Sequence, residues 1–184
     1  YEISACLVGS EMCIRDSFPP DWNSALATLR AVYNSRGQIW ATIVPKRPLP
    51  CVFSPDQAEQ MVKNGAVRLK GTGSADEALI LTATGGYQLR EVITASERLT
   101  KDGLSHSVIY LYEPGRFRVG RDAHEQTVLA EETISQALYP AHGRARVFVT
   151  HTRPEPFLGA VRPLDTGPPT TVALGYRNRG GTLD

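Results

Sequence analysis

The chain has 184 residues, 41% of them hydrophobic and 21% charged, and its net charge is +1. That is enough chain for one full core, and the near-neutral balance argues against a nucleic-acid or membrane-surface protein. No apolar run nears the ~20 residues of a membrane helix, and three cysteines (Cys6, Cys13 and Cys51) are too few for a disulfide framework and point to a reducing, cytoplasmic setting.

Residues 1–17 show neither helical nor strand periodicity. The stretch CLVGSEMCIRD inside them resembles translated read-through of a sequencing adapter. Residues 1–17 are therefore expected to be a non-native or disordered leader that does not pack on the core. The first residue is Tyr1 and the chain stops abruptly after Gly180-Gly181-Thr182-Leu183-Asp184, so 18–184 reads as an internal piece of a larger protein.

Residues 21–35 place Trp22, Leu26, Leu29 and Val32 on one helical face, with Asp21 or Asn23 as cap and Gly37 as stop. The run QIWATIV (38–44) is apolar on both faces and predicts a buried strand ended by Pro45. Pro48 and Pro50 then enforce an extended connector. Ser54, Pro55 and Gln57 open a helix over 54–63 with a capping box, and Gly65 ends it. A short strand follows at 66–70.

ALILTA (78–83) predicts a buried strand, turned by Thr84-Gly85-Gly86 into an amphipathic helix over 88–99. SVIYLY (107–112) is the next strand. A polar loop and a helix over 127–138 lead to a strand at 145–149. After Pro154 and Pro156 come a short helix at 157–161 and a last strand at 171–174. Strands alternating with helices predict βαβ units: an α/β fold with three α/β/α layers and a mainly parallel, mixed sheet.

The chemical motifs are few. Thr84-Gly85-Gly86 follows a strand and opens a helix, as phosphate loops do, but it lacks the lysine of a P-loop and the third glycine of a dinucleotide turn. A plain β–α turn is the favoured reading. His106, His124, His142 and His151 have no ligand spacing, so no metal site is expected. No GxSxG turn occurs, and Cys51 has no histidine near it in sequence. Lys46-Arg47 lies just past strand 38–44, where parallel sheets present ligands. Read from spacing alone, the pair is a solvated linker charge before it is a phosphate site.

The order of elements resembles the end of a thiamine-diphosphate-dependent enzyme of the transketolase superfamily, and within it the phosphoketolase family. IWATIVPK (39–46) resembles that family's strand and following lysine, with Pro45 for its glycine and Arg47 for its glutamine. Asp56-Gln57-Ala58 match its next helix. ADEALILTATGG (75–86), VFVTHTRPEP (147–156) and LGYRNRGGTLD (174–184) resemble its later strands and C-terminal stretch. The departures are His151-Thr152-Arg153-Pro154 for His-Gly-Tyr-Pro and Asn178-Arg179-Gly180-Gly181-Thr182 for Glu-Glu-Gly-Thr.

The resemblance implies that 18–50 is the end of the middle, pyrimidine-binding-type domain and its linker. It makes 51–184 a transketolase C-terminal-like domain, truncated at its end. The larger parent would be an aldehyde-lyase of pentose-phosphate carbohydrate metabolism, a homo-oligomer using thiamine diphosphate and magnesium. It would cleave xylulose 5-phosphate or fructose 6-phosphate to acetyl phosphate and an aldose phosphate. Lys46, and with it Arg47, would contact the substrate phosphate. No catalytic, cofactor-binding or metal residue is expected within this chain, which alone would be inactive. The alternatives are another sugar-phosphate reaction of the superfamily, or a stand-alone doubly wound binding or regulatory domain.

Overall fold

The computed structural model describes residues 14–141 and 145–176, apart from the side chain of His124. Residues 1–13, His142 and the end of the LGYRNRGGTLD stretch lie outside the described residues. In chain order the elements are β1 (Ile14–Ser17), α1 (Trp22–Asn34), β2 (Ile39–Thr42), α2 (Pro55–Asn64), β3 (Ala66–Lys70), β4 (Leu79–Thr84), α3 (Gly86–Lys101), β5 (His106–Leu111), α4 (Ala123–Gln126), α5 (Glu132–Leu138), β6 (Ala145–Thr150), α6 (Pro154–Ala160) and β7 (Thr171–Leu174).

Five strands form one sheet in the order β3-β5-β4-β6-β7. β4 pairs in parallel with both β5 and β6, β6 with β7, and only β3 runs antiparallel, at the edge. This is the mixed, mainly parallel sheet that the alternation predicts. The central position of β4 follows from its composition: five of its six residues are buried, as a strand covered on both faces requires.

Each face carries its own core. On one side Leu81, Ala83, Val108 and Tyr110 pack with Leu89 and Val92 of α3 and with Ala58 and Met61 of α2. On the other, Ile80, Ile109 and Phe148 pack with Leu138 of α5 and Phe157 of α6. Tyr139 stacks on Phe148 at 6.1 Å, and Phe148 meets Phe157 at 5.7 Å.

The beginning of the chain differs from expectation in three ways. Residues 14–17, expected to belong to an unpacked leader, form β1, which pairs in parallel with β2. Ser17 is fully buried, and Arg15 grips the buried Glu113 through two guanidinium nitrogens at 2.7 and 2.6 Å. β2 is not the buried strand its apolar run predicts. It lies in a separate two-stranded sheet, and Ile39, Ile43 and Val44 are exposed, with no further strand or helix over them among the described residues.

The third difference is the orientation of α1. Apolar helix faces ordinarily turn inward, yet Trp22, Leu26 and Leu29 point to solvent. The face that packs consists of Ser24, Ala27 and Thr28. Small residues let α1 lie close to α2, and its polar groups are satisfied locally. Thr28 donates to the Ser24 carbonyl at 2.7 Å and also meets the Tyr112 hydroxyl at 2.8 Å.

Candidate functional site

Parallel strands gather their ligand-facing loops at their carboxyl ends. Here that edge is formed by Thr84-Gly85-Gly86 after β4, Tyr112-Glu113 after β5, His151-Thr152 after β6 and Gly175-Tyr176 after β7. The loop after β2 comes down on the same edge. A Cβ on Gly86 would lie 2.7 Å from Pro45 Cγ and 2.8 Å from Leu49 Cδ1. Only glycine therefore lets the 45–49 loop seat on the first turn of α3. The Arg47 backbone N–H donates to the Tyr87 hydroxyl at 3.2 Å and fixes the loop there.

This seating brings two separately noted features together, the Lys46-Arg47 pair and the Thr84-Gly85-Gly86 turn. Both cations are exposed, and among the described residues neither makes an ion pair. They are thus open to an anion at the sheet's carboxyl edge. The turn beneath them is closed. Gly85 N–H donates to the Tyr110 hydroxyl at 3.2 Å, and that hydroxyl donates to the Phe18 carbonyl. Burial pushes the Tyr110 phenol far above its ordinary value, so it stays protonated as this donor. Pro20, Pro45 and Leu49 cover Gly86.

Thr84-Gly85-Gly86 is therefore a β–α turn filled by the chain itself. A phosphate would meet Lys46 and Arg47 from outside it. No group of three or more His, Cys, Asp or Glu side chains able to hold a metal ion occurs among the described residues.

His151 completes the edge, and spacing alone gave it no role. Its ring packs on Phe18 at 4.6 Å, and its Nδ1 is buried without a hydrogen-bond partner. Burial holds its pKa below the ordinary histidine value, against the pull of Asp16. Burial in turn raises the Asp16 carboxyl, against the pull of His151. The signal for this position lay in the resemblance, which put a histidine after the strand. His106 is elsewhere, tied between the Leu104 carbonyl (2.8 Å) and Ser96 (2.7 Å) at the opposite, amino edge of the sheet. Cys51 is exposed.

A cleft of about 390 Å³ lies beside this edge and is lined by Arg15, Lys63, Arg116 and Trp40 among others. Its two arginines are already engaged. Arg15 holds Glu113 and lies 3.8 Å over the Trp40 ring, while Arg116 donates to the Lys63 carbonyl at 2.6 Å.

The mainly parallel sheet flanked by helices matches transketolase C-terminal domains. The Campylobacter jejuni transketolase structure superposes with a TM-score of 0.59 at 14% identity, over 90% of this chain and 22% of that one. A split-gene transketolase, described as an inactive beta4 tetramer, gives 0.59 at 15% identity over 92% of this chain and 50% of its own. In sequence the chain is 24% identical over 169 residues to a probable phosphoketolase of Bifidobacterium animalis subsp. lactis (strain AD011), across 90% of its own length. The chain spans about a fifth of that relative's length. No protein-family model matches the chain. The sequence thus resembles phosphoketolase, and the fold is shared with transketolase.

Proposed function

We propose that this chain is the C-terminal part of a phosphoketolase-like, thiamine-diphosphate-dependent enzyme acting on xylulose 5-phosphate or fructose 6-phosphate. In this reading residues 18–50 end the middle domain, residues 51–184 form the C-terminal domain, and the cofactor pocket is built by other polypeptide. The observation that carries the reading is the seating of Lys46 and Arg47. Two exposed cations stand at the carboxyl edge of a transketolase-type sheet, where a sugar phosphate would be held by its dianion. The cofactor supplies the carbanion chemistry. This chain supplies a charged rim and a closed, proline-covered floor beneath it.

The reaction fixes its own assay. The two products carry two phosphoryl groups and the ketose phosphate only one, so inorganic phosphate must be the co-substrate. The longer protein containing this chain is expected to form acetyl phosphate from fructose 6-phosphate and inorganic phosphate. Lys46→Met should lower kcat/KM about ten- to a hundredfold, the cost of one charge-assisted contact. An unchanged kcat/KM would reduce Lys46 to a solvated linker charge. The solved neighbours are transketolases, which favours a second reading: transfer of the ketol unit to an aldose acceptor. Turnover that needs an aldose acceptor and ignores inorganic phosphate would select it. Assembly into a homo-oligomer belongs to the same proposal and is supported by the tetramer formed by the split-gene neighbour.

A further inference from the structure

The rim that carries Lys46 and Arg47 also holds the Tyr87 hydroxyl, a polar group that no motif picks out. Tyr87 stands in the first turn of α3, directly after Gly86. Its position is fixed twice. Through the backbone, Gly86 is clasped beneath Pro45 and Leu49. Through the side chain, the phenol oxygen accepts the Arg47 N–H at 3.2 Å. A phenol can accept and donate at once. With the oxygen engaged as an acceptor, its own O–H points away from the Arg47 N–H, and among the described residues that proton has no acceptor. The side chain is 42% exposed, so this donor opens on the same edge as the two exposed cations.

We propose that Tyr87 is a substrate-binding residue whose hydroxyl donates to the phosphate of a sugar phosphate held by Lys46 and Arg47. The inference rests on the reading of those two cations as a phosphate site. It adds a neutral donor that comes from the C-terminal domain and not from the linker. A phosphate monoester presents several terminal oxygens, each able to accept more than one donor, so a third donor beside two cations has a place to bind. Lys46 and Arg47 are long, exposed side chains that supply charge but must give up rotamer freedom to do so. The Tyr87 donor is already in place and loses little on binding. It therefore decides where the phosphate sits, while the cations decide how strongly it is drawn. The Arg47 backbone N–H cannot take this part, because the phenol oxygen already occupies it.

The test is steady-state kinetics of the longer protein containing this chain, with fructose 6-phosphate and inorganic phosphate varied in turn. Tyr87→Phe removes one oxygen from a partly exposed ring and should leave the circular dichroism unchanged. It should raise KM for fructose 6-phosphate about tenfold, the loss of one hydrogen bond to a charged group, with kcat and the KM for inorganic phosphate unchanged. The same change in a Lys46→Met/Arg47→Met background separates contact from seating. Without the two cations the 45–49 loop has no charge left to present, so a further loss of kcat/KM on Tyr87→Phe marks a direct contact. No further loss makes Tyr87 only a strut for the loop and overturns the proposal. A fall in kcat with KM unchanged overturns it, as does a KM raised for inorganic phosphate and not for the sugar phosphate. If Lys46→Met lowers kcat/KM while Tyr87→Phe changes nothing, the phosphate reading stands and the Tyr87 contact falls. If neither single change has an effect, both fall together.

Discussion

His151 stands at the end of β6 with one buried ring nitrogen unpaired and Phe18 against its face. Because burial lowers its pKa, the unfolded chain binds the proton more tightly than the folded one. Its contribution to stability is complete above the unfolded value of about 6.5 and is lost as the pH falls through the lower, folded value. Asp16 acts with the opposite sign. Its raised pKa adds stability at low pH, which is lost as pH rises from the unfolded value through the raised one. In an Asp16→Asn background, denaturation midpoints should therefore fall between pH 7 and 5. His151→Gln should flatten that slope, and an equal slope in both proteins would assign the dependence to other groups. Little of this site was legible in sequence. Lys46 and Arg47 could be picked out because they follow a strand, but the Gly86-Tyr87 turn that seats their loop lies 40 residues away. Only the folded chain shows that the glycine there serves close packing and not phosphate binding.

α2 shows how local chemistry defines an element. The Ser54 hydroxyl accepts from the Gln57 N–H at 3.2 Å, the Gln57 side chain accepts from the Ser54 N–H at 3.0 Å, and Pro55 occupies the first turn. Gly65 closes the helix at φ 80°, with its added Cβ only 3.0 Å from Arg116 Cδ and 3.3 Å from Phe117 Cε2. Ser54→Ala should cost about 1 kcal/mol in urea unfolding. Gly65→Ala should cost ~1–3 kcal/mol, since it combines a left-handed backbone with crowding. A smaller loss for Gly65→Ala than for Ser54→Ala would contradict the geometry. Elements whose signals are local in this way were legible: α2, α3 and the strands of the main sheet. α6 begins at Pro154, three residues before the sequence reading, because its prolines occupy the first turn of the helix and do not break it. The predicted 127–138 helix is shorter, since Ala130 N–H is taken by the Arg116 carbonyl at 2.8 Å and α5 starts only at Glu132. The orientation of α1 could not be read from periodicity. A hydrophobic stripe marks a face that is to be covered, and it does not specify by what.

Residues 14–50 are joined to the main sheet by a few buried polar contacts, and these decide whether the molecule unfolds as one. The Asp21 carboxylate caps α1 through Ser24 N–H at 2.9 Å and also accepts from Val52 and Phe53 N–H at 2.7 and 2.9 Å. Phe18 N–H donates to the Tyr112 carbonyl at 3.0 Å, and Tyr112 reaches Thr28. Both tryptophans, Trp22 and Trp40, lie in this part of the chain, whereas most of the strands and helices lie beyond it. Tryptophan fluorescence therefore reports on β1, α1 and β2, and far-UV circular dichroism reports mainly on the rest. With the joint intact, the two denaturation curves should coincide, as a single cooperative unit requires. Asp21→Ala removes the cap and strands the buried Phe53 N–H and the part-buried Val52 N–H, at a combined cost of about 2–3 kcal/mol. That loss falls on the joint, so the fluorescence transition of the variant should move to lower denaturant and separate from the dichroism transition. Separate transitions already present in the wild-type chain would show that β1, α1 and β2 only rest on the sheet. Coincident but lowered transitions in Asp21→Ala would show that the other contacts suffice to couple the two parts.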